Sequence, residues 1–169
     1  TGEMGIGNTT TSSAIAAALL KCDPQKVTGR GAGLSNQGLS RKQQVIAGAI
    51  EKYDLYKADA LTILSTVGGL DIAGLIGVCV GGAVYHIPIV LDGLISMAAA
   101  LVAERILPGV KTYLIPSHKG KEPASQLIAE ELGLCPVIDA GLALGEGTGA
   151  VMMFSLLDMA MSIYENKTT

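Results

Sequence analysis

The amino-acid sequence predicts an α/β fold, in which a doubly wound, Rossmann-like parallel sheet carries helices on both faces. Short apolar runs typical of buried strands alternate with Ala-rich stretches typical of helices, and glycine-containing turns join them. Of the 169 residues, 49% are hydrophobic, 4% are aromatic and 22 are glycine, which suits parallel strands covered by small-residue helices. Because such sheets bind ligands beyond the carboxyl ends of their strands, we expect the glycine turns to lie near a ligand.

The predicted elements begin with a glycine turn at residues 2–7, which leads into a helix capped by Asn8 or by one of the threonines that follow it. A second glycine turn at residues 29–33 precedes a helix that begins near Ser40. Further along, strands are predicted at residues 60–66, 87–91, 111–115 and 136–138, and helices at residues 71 onward, 94–106, 122–132 and 150–164.

Two parts of the chain are expected to have different roles. Residues 1–150 should form the α/β part of a large domain, and residues 151–169 a C-terminal helix that extends towards a small helical domain.

The chain opens at Thr1 without an initiator methionine, and no strand precedes the first glycine turn. Because a doubly wound sheet places a strand before such a turn, we expect an N-terminal segment with the first strands to be missing here and to complete the fold.

Charge and composition disfavour nucleic acid and membrane as partners. The formal net charge is −3 and the lysines are scattered, so no basic stripe indicates nucleic-acid binding. The apolar stretch at residues 70–106 is interrupted by Asp71, Pro88 and Asp92, which leaves no span of about 20 apolar residues for a membrane. Three widely separated cysteines lack zinc spacing and predict reduced thiols in a cytoplasmic protein: these are Cys22, Cys79 and Cys135.

The first glycine turn predicts a phosphate site, because backbone N–H groups at a helix N-terminus bind anions where glycines let the ligand approach. The predicted contacts are Gly5, Gly7, Asn8 and Thr9. Glu3 either orients ribose hydroxyls or caps neighbouring amides, and we favour a binding role. A dinucleotide-dependent oxidoreductase is disfavoured, because the spacing of the glycines does not match its fingerprint.

Charged residues beside the glycine turns have two interpretations each. Lys42 and Arg30, near Gly31 and Gly33, either supply positive charge to a bound anion or are solvated surface residues. Glu146 stands between two glycines, where a carboxylate either stabilises a helix N-terminus or acts as a general base. The sequence pattern alone does not decide between these alternatives.

Other polar residues near strand ends are interpreted structurally. Asp71 and Asp92 precede predicted helices and are expected to cap them. Ser117 and His118 are adjacent, but the glycine-flanked serine of a hydrolase elbow does not occur, so His118 is interpreted as a loop residue and His86 as structural.

Six motifs in order resemble the second half of the nicotinate-nucleotide:dimethylbenzimidazole phosphoribosyltransferase family. They are GEMGIGNTT at residues 2–10, GRGAGL at 29–34 with Arg41 and Lys42, VGGLDIA at 67–73, VLDG at 90–93, Ser117-His118 with Glu122-Pro123, and LGEGTGA at 144–150. Each is weak alone, but together they extend over nearly the whole chain.

The resemblance implies transfer of the phosphoribosyl group of nicotinate mononucleotide to 5,6-dimethylbenzimidazole, giving α-ribazole 5′-phosphate and nicotinate for the lower ligand of cobalamin. It implies Glu146 as general base, and phosphate, ribose or base contacts from the loop at residues 3–10, from Gly31, Gly33 and Lys42, and from Leu144 and Gly145. It also implies a homodimer, no cofactor and a dispensable magnesium ion, because the donor has no diphosphate to leave.

The same resemblance leaves two alternatives open. One is a related phosphoribosyltransferase with another azole, a purine or a phenol as acceptor. The other is a non-catalytic nucleotide-binding module with the same sheet. The family's base-binding pocket is completed by its N-terminal half, which these residues do not include.

Overall fold

The computed structural model describes residues 1–166, in which helices outnumber strands. The helices are α1 (Asn8–Leu20), α2 (Pro24–Val27), α3 (Asn36–Lys52), α4 (Ala60–Val67), α5 (Leu70–Val84), α6 (Leu94–Ile106), α7 (Pro123–Leu132) and α8 (Thr148–Glu165). The strands are β1 (Ile89–Leu91) and β2 (Leu114–Pro116), and a 3₁₀ helix (Val110–Tyr113) precedes β2. Among the described residues, no helix combines the length and the apolar character that crossing a membrane requires.

Helix α6 lies at the centre of the core. Its residues from Leu94 to Ala103 are all buried, and α1, α4, α5 and α7 pack around it. Small side chains make this crowding possible, because the buried stretch of α1 is rich in alanine, at positions 14 and 16–18, and alanines let helix axes approach closely. A helix buried all round is expected to be apolar on every side, and Ser96 is the one polar residue of this stretch of α6.

The sheet confirms the predicted α/β class. β1 and β2 pair in parallel, with Val90 opposite Ile115, and α6 is the crossover between them. A further parallel bridge joins His118 to Ile138. Because parallel strands end at the same edge of a sheet, Asp92 and Ser117, which follow β1 and β2, lie side by side, and the Ser117 hydroxyl donates to the Asp92 carbonyl over 3.3 Å.

The strand predicted at residues 60–66 is wrong, since these residues form α4. Asp59 explains the difference, because its carboxylate accepts hydrogen bonds from the backbone N–H groups of Leu61 and Thr62, each over 3.0 Å, and so caps a helix. Along this segment only Ile63 is fully buried. The β-branched residues therefore occupy a helix with one inward-facing side.

Several element boundaries also differ from the predicted ones. Helix α3 begins at Asn36, four residues before Ser40, because the Ser35 hydroxyl accepts from Gly38 N–H and caps it. The strand predicted at 111–115 begins only at Leu114, and at 136–138 only Ile138 makes a strand bridge. The helices at 94–106 and 122–132 are confirmed to within one residue. Residues 167–169 of the predicted C-terminal helix lie outside the described residues.

Candidate active site

The first glycine loop, residues 2–7, leads into α1 through a left-handed residue. Gly7 takes the N-cap position with φ 83°, and Asn8 is the first helical residue, so the predicted cap at Asn8 is wrong. The buried Asn8 amide instead donates to Asp71 over 3.0 Å and to the Glu3 carboxylate. Asp71 correspondingly makes no cap for α5. Asn8 thus ties the loop to the start of α5.

Glu3 lies in a crowded acidic environment. Burial raises the pKa of its carboxyl, the hydrogen bond from Asn8 opposes that rise, and the charges of Asp71, Asp92 and Glu146 raise the pKa further. The Asn8 amide bonds both Glu3 and Asp71, and Asp92 bonds the residue after Glu146, so the four carboxylates lie in one region. Such a cluster suits hydrogen bonds to ligand hydroxyls or acceptance of protons, and it repels a free anion.

A separate cluster surrounds Lys42 and is here called the Lys42 cradle, comprising residues 5–9, the second glycine loop at 29–33, and Lys42. The Lys42 side chain is only 6% exposed, and its ammonium donates to the Thr9 hydroxyl over 3.0 Å and to the Gly29 carbonyl over 3.1 Å. Burial lowers its pKa, and the charge of Glu122 opposes this. An ammonium has three N–H donors, and contacts within residues 1–166 use two of them.

Glu122 fixes the second glycine loop. Its Oε1 accepts from the Gly31 N–H over 2.9 Å, while its Oε2 is buried without a hydrogen-bond partner among the described residues. Gly31 has φ 53°, and a Cβ there would lie 2.8 Å from the Thr9 hydroxyl, so only glycine fits. Gly33 faces open space. Sequence reasoning gave Glu122 no role, since its contact is far along the chain.

Arg30 supports the second glycine loop from outside. Its guanidinium donates to the Leu34 carbonyl over 2.7 Å and to the Asn36 side chain, on the exposed side of the loop. The structural interpretation of Arg30 is therefore favoured over direct contact with an anion.

The Glu146 loop, residues 144–150, has an unusual backbone. Gly145, Glu146 and Gly147 adopt φ values of 79°, 58° and 84°, three left-handed residues in a row, a region that residues other than glycine rarely adopt. The Glu146 side chain is exposed, and Leu144 is 71% exposed. A constrained backbone therefore carries an exposed carboxylate and an exposed apolar side chain.

Asp92 lies beneath this loop. Its carboxylate accepts from the N–H groups of Gly147, Gly149 and Ala150 over 3.1, 2.8 and 3.3 Å. Asp92 caps a helix, as predicted, but not the predicted one. The helix that follows it in sequence is α6, whereas the helix it caps is α8.

Close backbone approach joins the first glycine loop to the Glu146 loop. A Cβ on Gly2 would lie 2.6 Å from the Gly147 Cα, so the two main chains are in direct contact there. The Thr1 hydroxyl, just before the contact, bonds the Val90 carbonyl of β1 over 3.1 Å. The structure thus brings Glu3 and Glu146, predicted from separate motifs, to the same edge of the sheet.

Ser117, His118 and Asp92 are also close together, but they do not form a hydrolytic triad. The Ser117 hydroxyl lies 2.9 Å from Nδ1 of His118, and the same Nδ1 lies 4.0 Å from Asp92. A triad uses the two ring nitrogens for different partners, whereas here both partners share one. Ser117 and His118 are moreover buried. No group of three His, Cys, Asp or Glu side chains in residues 1–166 is arranged to hold a metal ion.

Comparisons with known proteins agree on one family. The family model described as phosphoribosyltransferase matches residues 1–169. The chain is 49% identical over 164 residues to the nicotinate-nucleotide–dimethylbenzimidazole phosphoribosyltransferase of Clostridium acetobutylicum, covering 97% of this chain and 47% of the relative. With the enzyme of that name from Acetivibrio thermocellus it shares 46% over 169 residues, covering 100% and 48%.

A solved structure is similar over the same extent. CobT from Thermus thermophilus superimposes with a TM-score of 0.90 at 42% identity, covering 94% of this chain and 47% of that chain. The chain thus spans about half the length of the relatives it matches. From the family model and these similarities, this chain belongs to the phosphoribosyltransferase family that includes the nicotinate-nucleotide–dimethylbenzimidazole phosphoribosyltransferases.

Proposed function

We propose that this chain is the phosphoribosyl-handling part of an enzyme that transfers the phosphoribosyl group of nicotinate mononucleotide to 5,6-dimethylbenzimidazole. The products are α-ribazole 5′-phosphate, for the lower ligand of cobalamin, and nicotinate. The names of the similar proteins support these substrates. The observation that carries the proposal is the position of Glu146, on a constrained loop in backbone contact with the loop that bears Glu3.

The Lys42 cradle is proposed to bind the 5′-phosphate. Its buried ammonium is held by two neutral oxygens and has a free donor, and the N-terminus of α1 begins at the neighbouring residue, Asn8. A phosphate there gains a charge-assisted hydrogen bond and a favourable helix dipole. Glu3, whose pKa is raised by burial and by the neighbouring carboxylates, is proposed to bind the ribose hydroxyls.

Glu146 is proposed to be the general base. The acceptor's ring nitrogen attacks C1′ of the ribose while the bond from C1′ to the pyridine nitrogen breaks, and that bond's electron pair neutralises the pyridinium. The opposite side of C1′ is attacked, so a β donor gives an α product. The azole proton passes to the Glu146 carboxylate, a transfer that contributes about 10²–10⁴ in rate. No step needs a metal or a covalent intermediate.

The wider organisation is also proposed from the exposed surface of α8. This helix has buried residues only at Gly149, Ala150 and Met153, and large apolar residues elsewhere on it are exposed, with Phe154 54% and Ile163 60% exposed. Such a surface normally packs against other protein. It supports an arrangement in which residues 1–150 belong to the large domain and α8 extends towards a small helical domain of a homodimer.

Glu146→Gln in the full-length enzyme tests the assignment. The amide keeps the shape of the side chain but cannot accept the proton, so kcat should fall about 10²–10⁴-fold, with little change in KM for nicotinate mononucleotide. Glu165→Gln, at the exposed end of α8, is the matched control and should behave as wild type. Undiminished turnover by Glu146→Gln would remove the general base from the proposal.

A panel of acceptors tests the substrate. With nicotinate mononucleotide as donor, dimethylbenzimidazole should give a higher kcat/KM than adenine, benzimidazole or phenol. A higher value for one of the others would assign the chain to a related phosphoribosyltransferase, and binding of mononucleotide without turnover of any acceptor would favour a non-catalytic module.

A further inference from the structure

We propose that Asp92 is a positioning residue for Glu146: its buried carboxylate holds the Glu146 loop in the left-handed conformation that directs the base to the acceptor. This inference rests on the proposed function, because it assigns Asp92 a catalytic effect that acts only through Glu146. It assigns Asp92 no contact with substrate or metal.

The hydrogen bonds of Asp92 converge on the loop just beyond the base. Oδ2 accepts from Gly147, the residue after Glu146, and Oδ1 accepts from Gly149 and Ala150. These donors are the unpaired N–H groups of the first turn of α8. One side chain therefore fixes both the end of the left-handed run and the start of the helix.

Backbone hydrogen bonds stabilise the Asp92 carboxylate in this arrangement. Asp92 is only 5% exposed, and a buried carboxylate needs hydrogen bonds or a positive partner. His118 is 4.0 Å away through a nitrogen that also contacts the Ser117 hydroxyl. The backbone N–H groups and the positive end of the α8 dipole supply the remaining stabilisation.

Asp92 is nearly inaccessible to solvent, with 5% of its surface exposed. Both oxygens already accept hydrogen bonds from the loop. A Cβ on Gly149 would lie 3.0 Å from Oδ1 and would overlap the His118 ring, so the main chain of α8 is pressed against both side chains. Asp92 therefore acts on the reaction through the backbone that it holds.

Glu146 is the residue whose conformation needs this support. It is the non-glycine member of the left-handed run, and its own side chain is exposed and makes no hydrogen bond within residues 1–166. Its direction is thus set by its backbone. The backbone is restrained by Asp92 on one side and by the contact between Gly2 and Gly147 on the other.

A double-mutant cycle in the full-length enzyme tests the proposal. Asp92→Asn replaces one acceptor oxygen by an amide that opposes the loop N–H groups, so kcat should fall about 10²-fold, the size expected for a misplacement of about 1 Å, while KM for nicotinate mononucleotide changes little. In the Glu146→Gln background the same change should lower kcat less than about threefold, because residues that act as a unit are not additive.

The controls separate positioning from general destabilisation. Asp59→Asn removes an aspartate that also caps a helix, α4, away from the loop, and should leave kcat unchanged in both backgrounds. Asp92→Ser, which retains one hydroxyl acceptor without a buried charge, replaces Asp92→Asn if that variant does not fold, and the same non-additivity is expected. Turnover is scaled to the folded fraction measured by near-ultraviolet circular dichroism.

The possible outcomes are distinct. If Glu146→Gln loses turnover but Asp92→Asn lowers kcat by the same factor in both backgrounds, or does not lower it, the positioning role is overturned and the proposed function stands. If Glu146→Gln itself retains wild-type turnover, the proposed general base fails and the positioning role fails with it.

Discussion

The Lys42 cradle and the Glu146 loop hold their charged side chains in opposite ways. In the cradle, the charge is on a buried side chain whose partners are neutral oxygens of Thr9 and Gly29. In the loop, the charge is on an exposed side chain, and the buried partner, Asp92, holds only the backbone. Among the described residues, no carboxylate bonds the Lys42 ammonium directly, although the charge of Glu122 acts on it. Within the same residues, the Glu146 carboxylate has no hydrogen-bond donor.

This difference indicates what each region is suited to do. A buried cation with unfilled donor capacity is stabilised by an incoming anion, so the cradle suits binding. An exposed carboxylate on a restrained backbone keeps its capacity to accept a proton and is already oriented, so the loop suits catalysis. Changes in the cradle should therefore appear mainly in KM, and changes at the loop mainly in kcat.

The largest effect on the cradle should come from Lys42→Met. The variant removes the ammonium but retains most of the buried stem, so KM for nicotinate mononucleotide should rise about 100-fold, as expected for loss of a hydrogen bond to a charged group, with a much smaller change in kcat. Steady-state kinetics of the full-length enzyme measure both. Lys52→Met, exposed at the end of the same helix, is the control. A fall confined to kcat would contradict the binding role.

Gly2→Ala tests the junction between the two regions. The added Cβ would lie 2.6 Å from the Gly147 Cα, and because neither main chain can yield without moving, the Glu146 loop should shift and kcat should fall about tenfold. Gly48→Ala, in open space on α3, should instead stabilise the helix by about 1 kcal/mol. Wild-type kcat in Gly2→Ala would show that the loop is positioned independently of the first glycine loop.

The glycine loops could be predicted from sequence because their signals are local. A glycine cluster followed by a capping residue and an apolar stretch predicts a loop that opens a helix, and α1, α3 and α8 each begin beside such a cluster. The incorrect strand prediction at residues 60–66 also rests on a local signal. Their apolar, β-branched character suits a short buried strand, and only the hydrogen bonds of Asp59 show that they form a helix.

The contacts that organise the site could not be predicted in this way. Asp92 is 55 positions from Gly147, and Glu122 is 91 positions from Gly31. Asp92 precedes α6 in sequence, so a cap for that helix is the expected interpretation. The parallel sheet instead brings Asp92 beside the Glu146 loop, and packing of α7 against α1 and α2 brings Glu122 beside the second glycine loop. The roles of Glu3, Lys42 and Glu146 stay predictions, because geometry places these residues but does not measure their effect.

Glu122→Gln tests whether the charge of Glu122 raises the pKa of Lys42. Glutamine keeps the acceptor for the Gly31 N–H but removes the charge that raises the pKa of Lys42 against burial. The pKa of Lys42 should therefore fall further, and the rise of KM with pH should begin at lower pH. We therefore expect the ratio of the variant's KM to that of wild type to increase as pH rises. Glu130→Gln, exposed on α7, is the control, and parallel profiles for Glu122→Gln and wild type would contradict the coupling.

The smallest effect should be a stability change in Glu3→Gln. Because the folded state raises the pKa of Glu3, the native protein binds this proton more tightly than the unfolded chain does. The stability from Glu3 is thus fully present below its unfolded pKa and is lost as pH rises through the folded pKa.

In Glu3→Gln, glutamine removes this loss and still accepts from Asn8. The Tm of the variant relative to wild type should therefore be about 2 °C higher at about pH 8 than at about pH 4. Glu51→Gln, exposed on α3, should show no such trend. The opposite trend in Glu3→Gln would mean that the folded state stabilises ionised Glu3, contrary to the effects of burial and of the three neighbouring carboxylates.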